Sequence, residues 1–190
     1  VTNAWVAGSG AERLVSARGH GTAASGECRA SNARLLPEAF KTFRHGLSMV
    51  VMLSQGNGVT RHIEITQADA RDLDDVMTVM VRAFDPRFGE AWTAAQCAGA
   101  LSLPGSVLFL ARSGARAIGF ALARSVADEA ELLLIAVRPD AQRTGAGSLL
   151  VQAVVQHFAE KGVGKVHIEV RTDNPALAFY HGLGFTQCGL

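Results

Sequence analysis

The sequence predicts an α/β fold, a mixed central sheet flanked by helices. Three observations predict it. From residue 61 onward, apolar residues alternate in short runs and recur at helical spacing in longer ones. These runs follow the order strand, helix, helix, three strands, helix, strand, helix. At one joint between a strand and a helix stands "QRTGAG" (142–147), with two glycines and no acidic residue.

Each element has a local reason. "RHIEIT" (61–66) alternates as a strand does. "QADARDLDDVMTVMVRAF" (67–84) is amphipathic, with Leu73, Val76, Met77 and Met80 at helical spacing. Thr66 is the expected N-cap there, with Asp69 in the first turn. Thr93 is placed to cap a second helix running to residue 102. "SVLFLAR", the turn "SGAR" and "AIGFALARS" read as a hairpin over 106–125. A strand at 131–137 leads into the glycine loop and a helix ending near 161, and "KVHIEVR" (165–171) is the next strand. A short helix (175–183) follows, with Asn174 as N-cap, Pro175 in the first turn and Gly184 as the stop. With Leu190 the last residue, a final strand is expected to be short or missing.

Residues 1–60 differ. They contain "GSG", "GHGTAASG" and "SQGNG", six Lys or Arg against three Glu, and weak periodicity. They read as an irregular N-terminal extension with at most a helix around 33–45. A compact domain would then occupy 61–190, and Met49 or Met52 would stand at its start.

Composition narrows the function. The net charge is +1, so nothing electrostatic points to nucleic acid. Cys28, Cys97 and Cys188 form no CxxC and are odd in number, which implies reduced thiols and a cytoplasmic protein. The longest apolar run (47–53) is too short to span a membrane. His157 and His167 lack metal-ligand spacing and no HExxH occurs, so no metal site is expected. Cys97 reads as a small helix residue, and no GxSxG elbow is present. A monomer or weak dimer is expected.

The glycine loop carries the chemistry. Gly145 and Gly147 lack a Cβ, so a ligand can approach the backbone. The first amides of a helix are unpartnered and its dipole is positive there, which suits a phosphate. A tight turn would explain the same glycines. A P-loop needs a Lys after the last glycine, and none follows. The dinucleotide fingerprint needs a third glycine where Leu150 stands.

What remains is Q-x-x-G-x-G, which resembles the GNAT superfamily of acetyl-CoA-dependent N-acetyltransferases. "IAVRPDAQRTGAGSLL", "EVRTDNPALAFYHGLGF" (169–185) and "FGEAWT" (88–93) resemble its ribosomal-protein alanine N-acetyltransferases (RimI). The resemblance covers roughly residues 60–187 and matches the order of elements. The run between Asn174 and Tyr180 is one residue shorter than in that family. The resemblance implies acetyl-CoA as acyl donor. It implies that Gln142, Arg143, Thr144, Gly145, Ala146, Gly147 and Ser148 hold the pyrophosphate. It implies that a splayed strand offers the N–H groups of Ile135, Ala136 and Val137 to the acetyl and pantetheine groups. Asn174 is implied as a cofactor contact, beside its capping role.

Two residues are implied for catalysis. Glu169 would be the general base. In a strand it shares a face with His167 and Arg171, opposite Val166, Ile168 and Val170. A carboxylate there can take a proton from an amine, whose α-amino pKa is about 8. The alternative is a surface Glu paired with Arg171 or His167. Tyr180 would be the general acid to the departing thiolate, uphill by about 2 kcal/mol from the ordinary pKa values. The alternative is core packing beside Phe179. Phe88 and Trp92 either shape the acceptor entrance or staple a helix. The family implies the N-terminal alanine amine of a ribosomal protein as acceptor. A small-molecule amine and a non-catalytic acyl-CoA-binding module are the alternatives.

Overall fold

The computed structural model describes residues 11–17, 43–45, 48–54, 60–84, 91–171 and 174–189, with side chains from residue 62 onward. Nine strands form one sheet among these residues: β1 (Ala11–Ala17), β2 (Phe43–His45), β3 (Ser48–Ser54), β4 (Thr60–Ala68), β5 (Ser106–Ser113), β6 (Arg116–Val126), β7 (Glu129–Val137), β8 (Lys165–Arg171) and β9 (Thr186–Gly189). The helices are α1 (Leu73–Ala83), α2 (Ala94–Leu101), α3 (Ala146–Glu160) and α4 (Leu177–Gly182). The spatial order is β2-β3-β4-β5-β6-β7-β8-β1-β9. Only β7 and β8 run parallel, as a strand–helix–strand crossover through α3 requires.

The sheet has a core on each face. Alternation in β6 sends Phe120 and Leu122 to one side and Ala121 and Ala123 to the other. On the first side Val76, Val79, Met80 and Ala83 form the buried stripe of α1, and Cys97 packs from α2. On the second, Leu149, Leu150, Val154 and Phe158 of α3 pack with Val166, Ile168 and Val170 of β8. Small residues let α3 lie close. A Cβ on Gly119 of β6 would come within 2.9 Å of the Ala136 carbonyl and 3.1 Å of Leu150 Cδ1.

Helix starts follow capping chemistry. Thr93 caps α2 as expected, and Gln96 returns the bond to the Thr93 N–H at 2.8 Å. The start of α1 departs from expectation. Thr66 lies inside β4 opposite Leu110, and a 3-10 turn (Ala70–Asp72) precedes the helix. Asp69 caps that turn by accepting from Arg71 N at 2.8 Å, while Asp72 accepts from Asp69 N at 3.1 Å. The Arg71 guanidinium beside Asp69 holds its carboxyl down at about 2. Arg112 on β5 donates to Asp75 at 2.6 Å and Asp72 at 3.2 Å, tying the helix start to the sheet.

Three strands fall within residues 1–60, where the sequence pointed to an irregular extension. β3 pairs with β4 from Ser48↔Thr66 to Ser54↔Thr60. Residues 43–45 of the expected helix form β2; 33–42 lie outside the described residues. β1 enters between β8 and β9, antiparallel to both. The last strand, β9, is four residues long.

Candidate functional site

The site begins where two parallel strands part. β7 and β8 pair at Glu129↔Lys165, Ala130↔Val166 and Glu131↔His167, and no farther. Past that point β7 carries on to Val137 and β8 to Arg171, so a cleft opens between them. A register shift against β6 leaves Leu133 as an extra residue between Leu132 and Leu134, a bulge that bends β7 at the cleft.

The bulge and the ladder decide which amides face the cleft. Arg138 N–H donates to Ile118 O of β6 at 2.9 Å. Successive N–H groups in a strand point to opposite edges, so the Ala136 N–H turns toward Phe120 of β6. Those of Ile135 and Val137 then turn to the cleft. Ala136 therefore departs from the expected trio: its amide points to β6 and its side chain is buried against the α1 face.

Beyond Val137 the chain makes a 3-10 turn (Pro139–Ala141) and the loop that starts α3. Arg143 has φ +61° and Gly145 φ +91°. Glycine adopts that conformation freely, whereas Arg143 is held in it at a cost of about 1–3 kcal/mol. Alternating left-handed residues turn successive amides into one concavity, an anion nest. No acidic residue stands in the first turn of α3, where the helix is electropositive. Side chains pin the loop: Thr144 Oγ1 donates to Ala141 O at 2.6 Å and Gln142 Nε2 to Val137 O at 3.4 Å.

The end of β7 and the loop share one cavity of about 700 Å³. Ile135 and Val137 line its strand side, and Gln142, Arg143, Gly145, Gly147 and Ser148 its loop side. Tyr180 also lines it. The remaining expected residues sit beside it. Thr144 is turned to Ala141, Ala146 is buried in the core under α3, and Asn174 Oδ1 accepts from Ala176 N at 3.3 Å. That bond and Leu177 N–H to Asn174 O at 3.1 Å form a capped turn, and α4 begins after it at Leu177 rather than at Pro175.

Glu169 lies on the β8 face opposite Val166, Ile168 and Val170, half-buried, on the α1–α2 side of the sheet. Among the described residues no ion pair or hydrogen bond joins it to Arg171 or His167. His167 instead approaches Glu129, Nε2 to Oε2 at 3.3 Å. Tyr180 is fully buried, edge-on to Phe179 (5.0 Å between centroids) and Phe185 (5.7 Å). That burial pushes its phenol well above the ordinary tyrosine range. Cys97 is buried in the α1–α2 core with its thiol pushed up by desolvation, the opposite of an activated nucleophile. Trp92 packs against that core; Phe88 lies outside the described residues.

Sequence reasoning did not single out Ala141, Pro175, Ala176 and Phe179, which also line the cavity. A signal existed. Ala176, Phe179 and Tyr180 stand at i, i+3 and i+4, the spacing that places side chains on one helix face. Phe179 comes within 3.4 Å of where a Cβ on Gly147 would be, so the glycine and the ring shape the same wall.

A profile of the acetyltransferase (GNAT) family matches residues 73–185, more than half of the chain. The chain belongs to the GNAT family. Among curated relatives, the [ribosomal protein bS18]-alanine N-acetyltransferase of Escherichia coli (strain K12) is 42% identical over 69 residues, covering 36% of this chain and 47% of the relative. The mycothiol acetyltransferase of Streptomyces bingchenggensis is 30% identical over 158 residues, 80% of this chain and 44% of the relative. The chain spans about half the length of the curated relatives it matches. The crystal structure of the ribosomal-protein-S18-alanine N-acetyltransferase from Escherichia coli superposes with a TM-score of 0.58 at 30% identity, over 65% of this chain and 77% of that chain. The structure of an aminoglycoside N-acetyltransferase shares the fold at 20% identity with a TM-score of 0.57, over 70% of this chain and 93% of that one. Among the described residues no helix is long and apolar enough to cross a membrane, and no cluster suits a metal ion.

Proposed function

We propose that the chain binds acetyl-CoA and transfers its acetyl group directly to an amine. The observation that carries this is the cavity at the end of β7, lined by the left-handed loop that starts α3 and by Tyr180. The amides of Gln142 to Ser148 and the start of α3 fit a pyrophosphate. The apolar wall of Ile135, Val137 and Phe179 fits the pantetheine arm. Acetyl-CoA supplies an activated thioester carbonyl there.

The residues then divide the work. The Ile135 and Val137 N–H groups stabilise negative charge on the carbonyl oxygen as the amine attacks, the role of preorganised donors. Glu169, on the other face of β8, takes the proton that the ammonium form must lose. Tyr180 donates a hydrogen bond to the departing sulfur. Its raised pKa makes full proton release costly, so the phenol shares its proton while charge builds on the thiol.

The acceptor we propose is the N-terminal alanine amine of a ribosomal protein, the substrate named for the Escherichia coli relatives. A second reading, a small-molecule amine, is favoured by the mycothiol acetyltransferase match, which extends over more of this chain. Titration calorimetry with coenzyme A tests the cavity. Turnover of acetyl-CoA with an alanine-starting peptide, against a panel of small-molecule amines, separates the acceptors. Coenzyme A binding without turnover on any amine would leave a non-catalytic binding module.

A further inference from the structure

One buried titratable side chain has no part in the reaction above. His167 is 7% exposed, and neither ring nitrogen has an aligned hydrogen-bond partner among the described residues. The Glu129 carboxylate approaches Nε2 at 3.3 Å without that alignment. His167 occupies the last paired register of β7 and β8, at the apex of the cleft. Along β8 it shares a face with Glu169 two residues farther in, a rise of about 6.6 Å that two side chains or one water can bridge. On its other side Glu129 is 45% exposed and is also 3.6 Å from Lys165 Nζ. The three groups thus run from cleft to solvent: Glu169, His167, Glu129.

We propose that His167 and Glu129 carry the proton from Glu169 out of the cleft, an inference that rests on Glu169 being the base. The balance requires such an exit. An ammonium acceptor and a thioester give an amide, a thiol and one free proton. The N–C bond forms and the C–S bond breaks. One nitrogen proton ends on sulfur, and the other is left on Glu169. With the cleft filled, a proton held on Glu169 remains available to reverse the step. An imidazole can accept it on one nitrogen and release one from the other. Glu129 receives that proton and passes it to water. The other charged groups placed about His167 are Lys165 and Arg171 on its own strand face and Glu131 across the register. His167 is a positioning and relay residue; it touches neither substrate.

His167→Gln keeps size and hydrogen bonding but cannot relay. In dilute buffer its kcat should fall about tenfold, a fraction of the worth of general-base catalysis. Coenzyme A affinity and thermal midpoint should stay at the wild-type values. Concentrated imidazole should restore most of the lost rate. Glu129→Gln should show a smaller fall, since water reaches that position. Glu169→Gln, measured alongside, should be impaired whatever the buffer. His167→Gln turning over at the wild-type rate while Glu169→Gln is impaired would overturn the relay and leave the base intact. A slow His167→Gln that imidazole does not rescue would make His167 structural and overturn the relay equally. Wild-type turnover in Glu169→Gln would remove the base, and the relay with it.

Discussion

Glu169 and Tyr180, the two proposed catalytic side chains, stand in different environments. Glu169 is half-buried, while Tyr180 is sealed in aromatic contacts. Glu169→Gln should leave coenzyme A binding intact, because the anion nest lies on another element. Its turnover near neutral pH should fall by about 10²–10⁴, as loss of a general base does. The deficit should shrink as pH rises past about 8, where an α-amine loses its proton unaided. A ratio of kcat/KM to wild type that stays near one from low to high pH would eliminate Glu169 as the base. Tyr180 makes a different prediction. The chain has one tyrosine, so phenolate absorbance follows this residue alone. Its folded-state pKa is raised, so its neutral form stabilises the fold below the unfolded value of about 10, and that contribution is lost as pH rises beyond it. Phenolate should therefore appear only as the protein unfolds, and Tyr180→Phe should move the alkaline unfolding midpoint to higher pH. A phenolate signal in native protein near pH 10 would contradict the burial. The faces of both residues follow from strand alternation and helix spacing, while their proposed roles rest on the family resemblance. What alternation cannot give is backbone direction. Ala136 looked equivalent to its neighbours, and only the ladder from Arg138 to Ile118 shows that its amide faces β6.

The element that matters is the strand–loop–helix unit from β7 to α3. Its loop was legible because glycine and the missing acidic residues carry geometric meaning by themselves. The left-handed Arg143 was not, since nothing in its side chain requires that conformation. Gly147 and Gly119 separate binding from packing within this unit. An added Cβ at Gly147 meets Phe179 at 3.4 Å and Val137 at 3.7 Å, close to ordinary contact. Gly147→Val should thus keep the fold but push its methyl groups into the cavity. Coenzyme A affinity should drop at least about tenfold, roughly 1.4 kcal/mol, by calorimetry. Unchanged affinity would sink the loop as a pyrophosphate site. Gly119 lies under the helix instead, 2.9 Å from a backbone oxygen that cannot move aside. Gly119→Ala should cost about 1–3 kcal/mol of stability, the usual penalty of overpacking, measured by denaturant unfolding. The start of α1 shows the limit of the same approach. Thr66 and Asp69 are both good N-cap residues, and the sequence does not say that β4 runs on past Thr66.

Across the whole molecule, the strand that carries the proposed base is attached differently from the strand and loop proposed to bind the cofactor. β7 sits inside the sheet, braced by β6 along its full length, and α3 packs on one face of it. Among the described residues β8 meets β7 at three positions only, and β9 meets the sheet through β1 alone. β1 spans β8 from Ala11↔Arg171 to Ala17↔Lys165 and reaches β9 at Val15↔Thr186. Glu169 on β8 and Tyr180 between β8 and β9 therefore depend on a strand from the far end of the chain. The sequence hid this, because "AERLVSA" is short, is flanked by glycine-rich stretches and shows little alternation. Its periodicity suggests instead a domain that begins at residue 61 and would work without what precedes it. The two views give opposite results for one substitution. Proline at position 14 removes the N–H from the middle of β1, and proline is excluded from the interior of a sheet for that reason. If β1 holds β8 and β9 together, Leu14→Pro in the full chain should lower turnover about tenfold or more while coenzyme A affinity stays within about threefold, a split expected when the general-base arm loses its position. The thermal midpoint should fall as well. If residues from 61 onward suffice, Leu14→Pro should match wild type in all three measurements, and a chain starting at Met52 should turn over as fast as the full one. The affinity measurement keeps the test decisive. A protein that unfolds outright loses both activities together, whereas release of β1 alone predicts a folded binder with an idle acceptor side.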